Sequence, residues 1–203
     1  MILKAVALEN AFVRLEPFDL KIRDEVRSAL DCDVPAWNGM VAAAYGRHFD
    51  GWWAAALAGS AAAARIPWAV RRKADGVVVG TTSLYEIRPE HRRCEIGSTF
   101  YRPDARGGPV NPACKRLLLD HAFSAGAVRV EIITDARNAA SQSAIRKLGA
   151  RDEGILARHK ITWTGRVRDT AQFAVLDIDW ATVRQGLDDR LAGFERTAAP
   201  VSR

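Results

Sequence analysis

The chain has 203 residues, of which 48% are hydrophobic, and it carries a formal net charge of +6 with a pI near 9.6. This length and apolar content predict one domain with a single buried core over residues 1–196, followed by a disordered tail over 197–203. No apolar run is long enough to span a bilayer, and the first residues lack a signal-peptide pattern. We therefore expect a cytoplasmic protein with no membrane partner.

The cysteine and charge patterns argue against a metal centre and against nucleic acid. Cys32, Cys94 and Cys114 lack the spacing of a metal site or a disulfide framework, so we expect reduced thiols and no bound metal. Cys114 is expected to be a small, buried, apolar side chain. The basic residues are scattered in ones and twos without a nucleic-acid motif, and their charge suits an anionic cofactor or a solvated surface.

The first 65 residues predict one strand and two helices. Residues 12–18 alternate well enough for a strand, and Asp19 offers an N-cap for a helix that ends near Leu30. Residues 31–45 show no clean period and are predicted as loop or short helix. An alanine-rich second helix is predicted over 51–65.

Three antiparallel strands follow, over residues 67–72, 77–87 and 93–101, with a hairpin turn at Asp75 and Gly76. Alternation along the third strand places a carboxylate, Glu95, on one sheet face beside a glycine that leaves room. Its two predicted faces are Glu95, Gly97, Thr99 and Tyr101 on one side, and Cys94, Ile96, Ser98 and Phe100 on the other.

Residues 101–123 combine an extended segment, a glycine-bearing turn and an amphipathic helix. Asn111 is predicted as the helix N-cap and Pro112 as the first helical residue, with Gly126 just past the end. The turn supplies backbone without side chains ahead of a helix N-terminus, where a phosphate or pyrophosphate is favoured. Such turns also serve as plain connectors, and the residues alone leave both interpretations open.

The last third completes an α/β (α+β) fold, with a central, mostly antiparallel sheet that contains one local parallel pair and is flanked by helices. The elements predicted there are a strand over 128–134, a helix over 138–148 stopped by Gly149, a hairpin of strands over 151–163 and 169–176, and a final helix over 180–194.

The glycine-bearing loop and the segments NPACKRLLLDHAF and VEIITDARNAASQSAIRKLGARDEG resemble the GNAT superfamily of N-acyltransferases. More narrowly, they resemble its branch of RimJ and RimL ribosomal-protein N-terminal acetyltransferases. The resemblance covers residues 11–179 and is densest over 95–154. It implies a GNAT-like fold, with acetyl-CoA or another acyl-CoA as cosubstrate. A small-molecule amine or a protein N-terminus would be the acceptor, attacking directly in a ternary complex.

One departure from the family pattern leaves an alternative open. Pro109 stands where the family loop usually has glycine, so one backbone donor to the pyrophosphate is missing. A non-catalytic acyl-CoA-binding or regulatory module is therefore the alternative function. A homodimer is also left open.

In this family the strand before the loop splays from the next parallel strand, and the pantetheine arm lies in that gap, here between residues 98–101 and 131–134. The resemblance implies Glu95 as the base, with Glu86 next and an ion pair to Arg93 as the structural alternative. Ser141 would donate to the leaving thiolate, with an ordinary first-turn serine as the alternative. Asn138 would close on the ligand, and it could cap its helix at the same time. The residues implied in cofactor binding are Phe100, Tyr101, Arg106, Gly107, Gly108, Val110, Asn111, Lys115, Asn138, Ser141, Arg146 and Lys147. Of the cations among them, Lys115 and either Arg146 or Lys147 would supplement the phosphates from helix faces, with a solvated surface position as the alternative.

Overall fold

A computed structural model describes residues 1–198, and within them one eight-stranded sheet has the order β1-β2-β3-β4-β5-β6-β8-β7. Its strands are β1 Leu8–Glu9, β2 Val13–Pro17, β3 Arg65–Arg72, β4 Val78–Arg88, β5 Arg93–Tyr101, β6 Arg129–Asp135, β7 Arg151–Ile161 and β8 Val167–Leu176. The helices are α1 Arg23–Leu30, α2 Phe49–Ala61, α3 Val110–Ser124, α4 Ala139–Arg146 and α5 Asp177–Ala198. The tail predicted from residue 197 starts inside α5, and residues 199–203 lie outside the described part.

The sheet separates two apolar cores. On one side, which we call the α3 side, Leu118 of α3, Ile145 of α4 and Leu187 of α5 pack against residues such as Trp68 of β3. On the other, the α1 side, residues of α1 and α2 such as Trp53 pack together over the sheet. None of the helices within residues 1–198 is both long and apolar enough to cross a membrane.

Strand pairing confirms the predicted mixed sheet. The neighbouring strands of the described chain run antiparallel, except that β5 and β6 run parallel. These two pair over three residues only, and the last pair is Glu95 with Glu131. Beyond it β5 stays with β4 through Tyr101, while β6 stays with β8 through Asp135. The two strands thus diverge and leave the predicted gap between them.

A β-bulge in β5 overturns the strict alternation predicted through Tyr101. Ser98 and Thr99 together oppose one residue of β4, Thr82, and Ser98 takes a left-handed φ of +47°. An extra residue moves every later side chain to the opposite face. Phe100 therefore joins the core of the α1 side, and Tyr101 joins that of the α3 side.

The start of α3 differs from the prediction, whereas its end agrees. The helix begins at Val110, and Pro109 occupies the N-cap position without a side-chain capping hydrogen bond. Asn111 is therefore wrong as the N-cap, because it lies with Pro112 in the first turn. The first-turn N–H groups have no partner within the helix, so a proline there loses no hydrogen bond. Gly126 follows the end with a φ of +90°, as predicted.

The second helix is shorter than predicted. α2 ends at Ala61 because the chain turns at Ala63, which has a φ of +55°, and enters β3 at Arg65. The predicted strands, the helix that follows Asp19 and the final helix are all present, with their ends shifted by a few residues.

Candidate active site

The β5 edge of the gap presents main-chain groups of Tyr101. The N–H of Arg102 donates to the carbonyl of Val79 over 2.8 Å. In an antiparallel ladder, residues alternate between facing the partner strand and facing away, so the N–H and carbonyl of Tyr101 point away from β4. The carbonyl accepts from Nε of Arg106 at 2.8 Å. The Tyr101 N–H is thereby directed into the gap.

The loop between β5 and α3 brings bare backbone to one end of the gap. Gly107 has a φ of +77°, which glycine adopts without strain, and open space surrounds both Gly107 and Gly108. The first turn of α3 follows directly, with Val110 buried and Asn111 partly buried. Anionic oxygens at this loop would meet backbone N–H groups and the positive end of the helix dipole.

Arg106 is engaged with the protein itself. Its guanidinium forms an ion pair with Asp33 at 2.7 Å and lies 5.5 Å from the centre of the Phe100 ring. Asp33 directly precedes a short 3-10 helix, Val34–Gly39, on the α1 side. An anion bound at the loop would therefore have to compete with Asp33 for this guanidinium.

Glu95 lies beyond the other end of the gap, where β5 and β6 part. Its side chain is on the α1 side and the residue is only 4% exposed. The Tyr85 hydroxyl donates to Oε1 of Glu95 at 2.5 Å. Burial raises the pKa of Glu95 above its ordinary value, although the Tyr85 hydrogen bond acts in the opposite direction. The ion pair of Glu95 with Arg93 does not form, because Arg93 instead binds Glu131 at 2.9 Å.

An open cleft of about 370 Å³ gives access to this carboxylate. Glu86 also lies in it, but it is exposed and paired with Arg88 at 2.8 Å, whereas Glu95 is buried. The positive charge of Lys160 favours the ionised form of Glu95. The cleft is lined by Glu86, Arg93, Glu95, Glu131, Ile133, His159, Lys160 and Gln172.

Comparison with known proteins identifies the family. Residues 18–151 match the family described as the Acetyltransferase (GNAT) domain. The chain belongs to this family.

Solved GNAT structures share the whole fold. A GCN5-related N-acetyltransferase from Brucella melitensis is 29% identical with a TM-score of 0.84, and the match covers 93% of this chain and 86% of that one. RimJ from Mycobacterium smegmatis, solved in complex with CoA-disulfide, is 20% identical with a TM-score of 0.77 and covers 93% and 94% of the two chains. At that identity it shows the fold alone.

A curated relative covers less of the chain. The uncharacterized N-acetyltransferase YoaA of Bacillus subtilis (strain 168) is 27% identical over 112 residues. The match takes in 55% of this chain and 62% of YoaA, so the chain spans about three-fifths of that relative's length.

The start of α4 lies at the same sheet edge as the loop between β5 and α3, since both follow the carboxyl ends of the parallel strands β5 and β6. The Asn138 side chain accepts from the Ser141 N–H at 2.9 Å, so Asn138 performs the capping role expected of it. Arg146 and Lys147 follow at the other end of α4, about 12 Å away, given a rise of 1.5 Å per residue. Arg146 pairs there with Asp152 at 2.8 Å. A role of Arg146 or Lys147 in cofactor binding stays a prediction.

Lys115, another cation implied in cofactor binding, is buried rather than exposed on its helix. It is 6% exposed, and its side chain reaches from α3 to β5. Its Nζ donates to Oγ1 of Thr99 at 3.4 Å. Burial lowers its pKa to about 8.

Two segments that contact each other cover the α1 side of the gap, namely the region over 31–45 and the β7–β8 hairpin. Trp163, at the tip of the β7–β8 hairpin, donates from Nε1 to the carbonyl of Trp37 at 2.9 Å and from its backbone N–H to Met40 at 3.1 Å. Trp37 stacks on Phe100 with 4.6 Å between ring centres. The aperiodic region over 31–45 thus covers β5 next to the site.

Tyr85 and Glu131 were missed by the sequence analysis. Simple hairpin counting from the Arg88–Arg93 pair would place Glu86 opposite Glu95, but a register shift at Glu86, with its φ of +48°, puts Tyr85 there instead. The room left by Gly97 is filled by the Tyr85 ring, since a Cβ on Gly97 would lie 2.5 Å from it.

Proposed function

We propose that this chain transfers an acetyl group from acetyl-CoA to a primary amine, which attacks the thioester directly in a ternary complex. The observation that carries the proposal is the divergence of β5 and β6. It creates a gap with an anion-favouring loop at one end and a buried carboxylate, Glu95, at the other. Membership of the GNAT family supports the same chemistry.

The cofactor would lie along the gap. The N–H of Tyr101 would pair with the pantetheine arm, and Gly107, Gly108 and the first turn of α3 would receive the pyrophosphate. RimJ of the same fold, solved with a CoA-disulfide, supports a CoA site in this architecture. Acetyl-CoA supplies the activated acyl group as a thioester.

Glu95 would remove the proton that the amine loses on attack. The acceptor amine would enter from the cleft that exposes Glu95, because the α1 side is otherwise covered by the region over 31–45 and the β7–β8 hairpin. A raised pKa makes Glu95 a better proton acceptor near neutrality than an ordinary glutamate. The Ser141 hydroxyl, at the start of α4, would donate to the leaving sulfur, and Asn138 would fix that turn.

The acceptor class follows the RimJ and RimL resemblance. A protein N-terminal amine or a small-molecule amine is proposed as the acceptor. Either one needs a proton-accepting group and a cleft through which it can reach the thioester. The competing proposal, a non-catalytic acyl-CoA-binding module, is favoured by Pro109, which provides no N–H at the N-cap of α3.

The test combines ligand binding with a screen of amines. CoA and acetyl-CoA are expected to raise the melting temperature, because a ligand at 100 times its Kd stabilises the folded state by about 2.7 kcal/mol. The protein is then incubated with acetyl-CoA and a panel of free-amine peptides and small amines, and products are detected by mass spectrometry. The same compound with its amine blocked serves as the control for each acceptor. We expect acetylation of free amines only. Stabilisation without any product would favour the non-catalytic module, and no stabilisation would contradict both proposals.

A further inference from the structure

Lys115 is a buried cation without a counter-ion. Its ammonium forms no ion pair within residues 1–198, and its hydrogen-bond partner is Oγ1 of Thr99, which in turn lies 2.8 Å from Oγ1 of Thr82. A buried ammonium has three donors to satisfy, and one long contact to a hydroxyl leaves most of that capacity unused. Such an arrangement favours a ligand that brings an acceptor or a negative charge.

The position of Lys115 indicates where that ligand atom would be. Thr99 belongs to the bulge of β5, in the stretch that β6 has already left, so the hydroxyl that Nζ contacts lies on the strand that borders the gap. Thr99 lies between Glu95 and the glycine loop along the chain. Lys115 is therefore positioned along the arm of a bound acyl-CoA, toward its reactive end, rather than at its pyrophosphate.

We propose that Lys115 stabilises the thiolate of CoA as it departs and returns a proton to it, an inference that rests on the proposed acetyl transfer. When the tetrahedral intermediate collapses, the C–S bond breaks and its electron pair goes to sulfur. The Lys115 ammonium gives one proton to that sulfur, which yields the CoA thiol and a neutral amine. Lys115 regains a proton from solvent, where the proton taken by Glu95 is released, so the overall reaction neither gains nor loses protons.

The chemistry of the neighbours supports this role. A serine hydroxyl such as that of Ser141 can hydrogen-bond sulfur but does not release its proton near neutrality. The lowered pKa of Lys115, about 8, approaches that of an ordinary thiol, about 8.5, and proton transfer is efficient between groups of matched pKa. The titratable neighbours Cys114 and Tyr101 both have pKa values raised by burial, that of Cys114 to about 12, so they stay neutral and add no competing charge.

The experiment titrates the thiol of bound CoA by the ultraviolet absorbance of the thiolate, which needs no acceptor. In the wild-type protein we expect the thiol pKa of bound CoA to fall by about one unit or more relative to free CoA, the size of effect that a nearby opposite charge produces. Lys115→Met should abolish this shift, and Lys115→Arg should retain part of it. Lys21→Met, which removes an exposed lysine of the short 3-10 helix Leu20–Ile22 before α1, serves as the matched control and should behave as the wild type.

Desulfo-CoA, which lacks the sulfur, separates this role from simple cofactor binding. Lys115→Met should leave its affinity unchanged. The role of Lys115 would be overturned if the thiol of bound CoA had the same pKa in Lys115→Met as in the wild type. An equal loss of affinity for CoA and desulfo-CoA would overturn it too, and either result would leave the proposed function standing. Failure of the wild-type protein to bind CoA would instead contradict the proposed function as well.

Discussion

Glu95→Gln is expected to leave CoA binding intact and to lower turnover by about 100-fold or more, the usual contribution of a general base. The substitution keeps the size of the side chain and can still accept the Tyr85 hydrogen bond, so the buried site should keep its shape. Turnover is measured with the best acceptor from the amine screen, and CoA affinity by calorimetry. Glu90→Gln, an exposed carboxylate in the turn before β5, is the control and should match the wild type.

The pH profile distinguishes a base from a positioning group. Burial raises the pKa of Glu95, so its carboxylate form, which accepts the proton, is lost at a higher pH than in an ordinary glutamate as the solution is acidified. The loss of rate in Glu95→Gln should be greatest at pH values above the raised pKa of Glu95 at which the acceptor amine is still mainly protonated, and it should shrink as Glu95 itself becomes protonated. Profiles that differ by a constant factor would leave positioning as the role of Glu95. An unchanged profile would eliminate Glu95 and make Glu86→Gln the next variant.

Gly80→Ala is expected to destabilise the fold by about 3 kcal/mol, at the upper end of overpacking costs, which corresponds to a fall in Tm of roughly 6–12 °C. A Cβ at position 80 would clash with the carbonyl oxygen of Phe100 and lie 3.0 Å from Cα of Tyr101. Both are backbone atoms, so β4 and β5 would have to separate. Because Tyr101 borders the gap, CoA affinity should fall as well.

Gly186→Ala is the matched control for Gly80→Ala. Gly186 lies in α5, and a Cβ added there would meet no atom beyond the backbone of its own helix within 4 Å, in the part of the chain that the structure describes. Alanine is favoured over glycine in a helix by about 0.5–1 kcal/mol, so this variant should melt higher than the wild type and bind CoA equally well. Thermal denaturation of both variants checks the signs. Equal Tm values for Gly80→Ala and the wild type would contradict the close approach of the two strands.

Much of the fold was predictable because local signals and burial agree. The hairpin turn at Gly76, the stop at Gly126 and the cap at Asn138 are chemical signals within a few residues, and each lies where the sequence predicted it. Alternation along β5 failed at Ser98 because the bulge depends on the register against β4, which no local pattern encodes.

The site was less predictable, since its contacts join distant parts of the chain. The pairing of Arg106 with Asp33 and the hydrogen bond of Tyr85 to Glu95 both depend on tertiary register. The family resemblance implied that Lys115 would supplement the phosphates, with a solvated surface position as the alternative. Only the three-dimensional placement of α3 on the bulge shows it to be buried.

Hydrogen–deuterium exchange with and without CoA tests most directly whether the gap between β5 and β6 is the cofactor site. CoA should protect the backbone amides of residues 98–101 and 106–111, the Tyr101 amide above all, because its N–H faces the gap. The exposed edge strand β7 should be unaffected. Protection confined to the cleft that is lined by residues 11–12, 72–74, 104–105 and 108–110, with no change at Tyr101, would contradict the account.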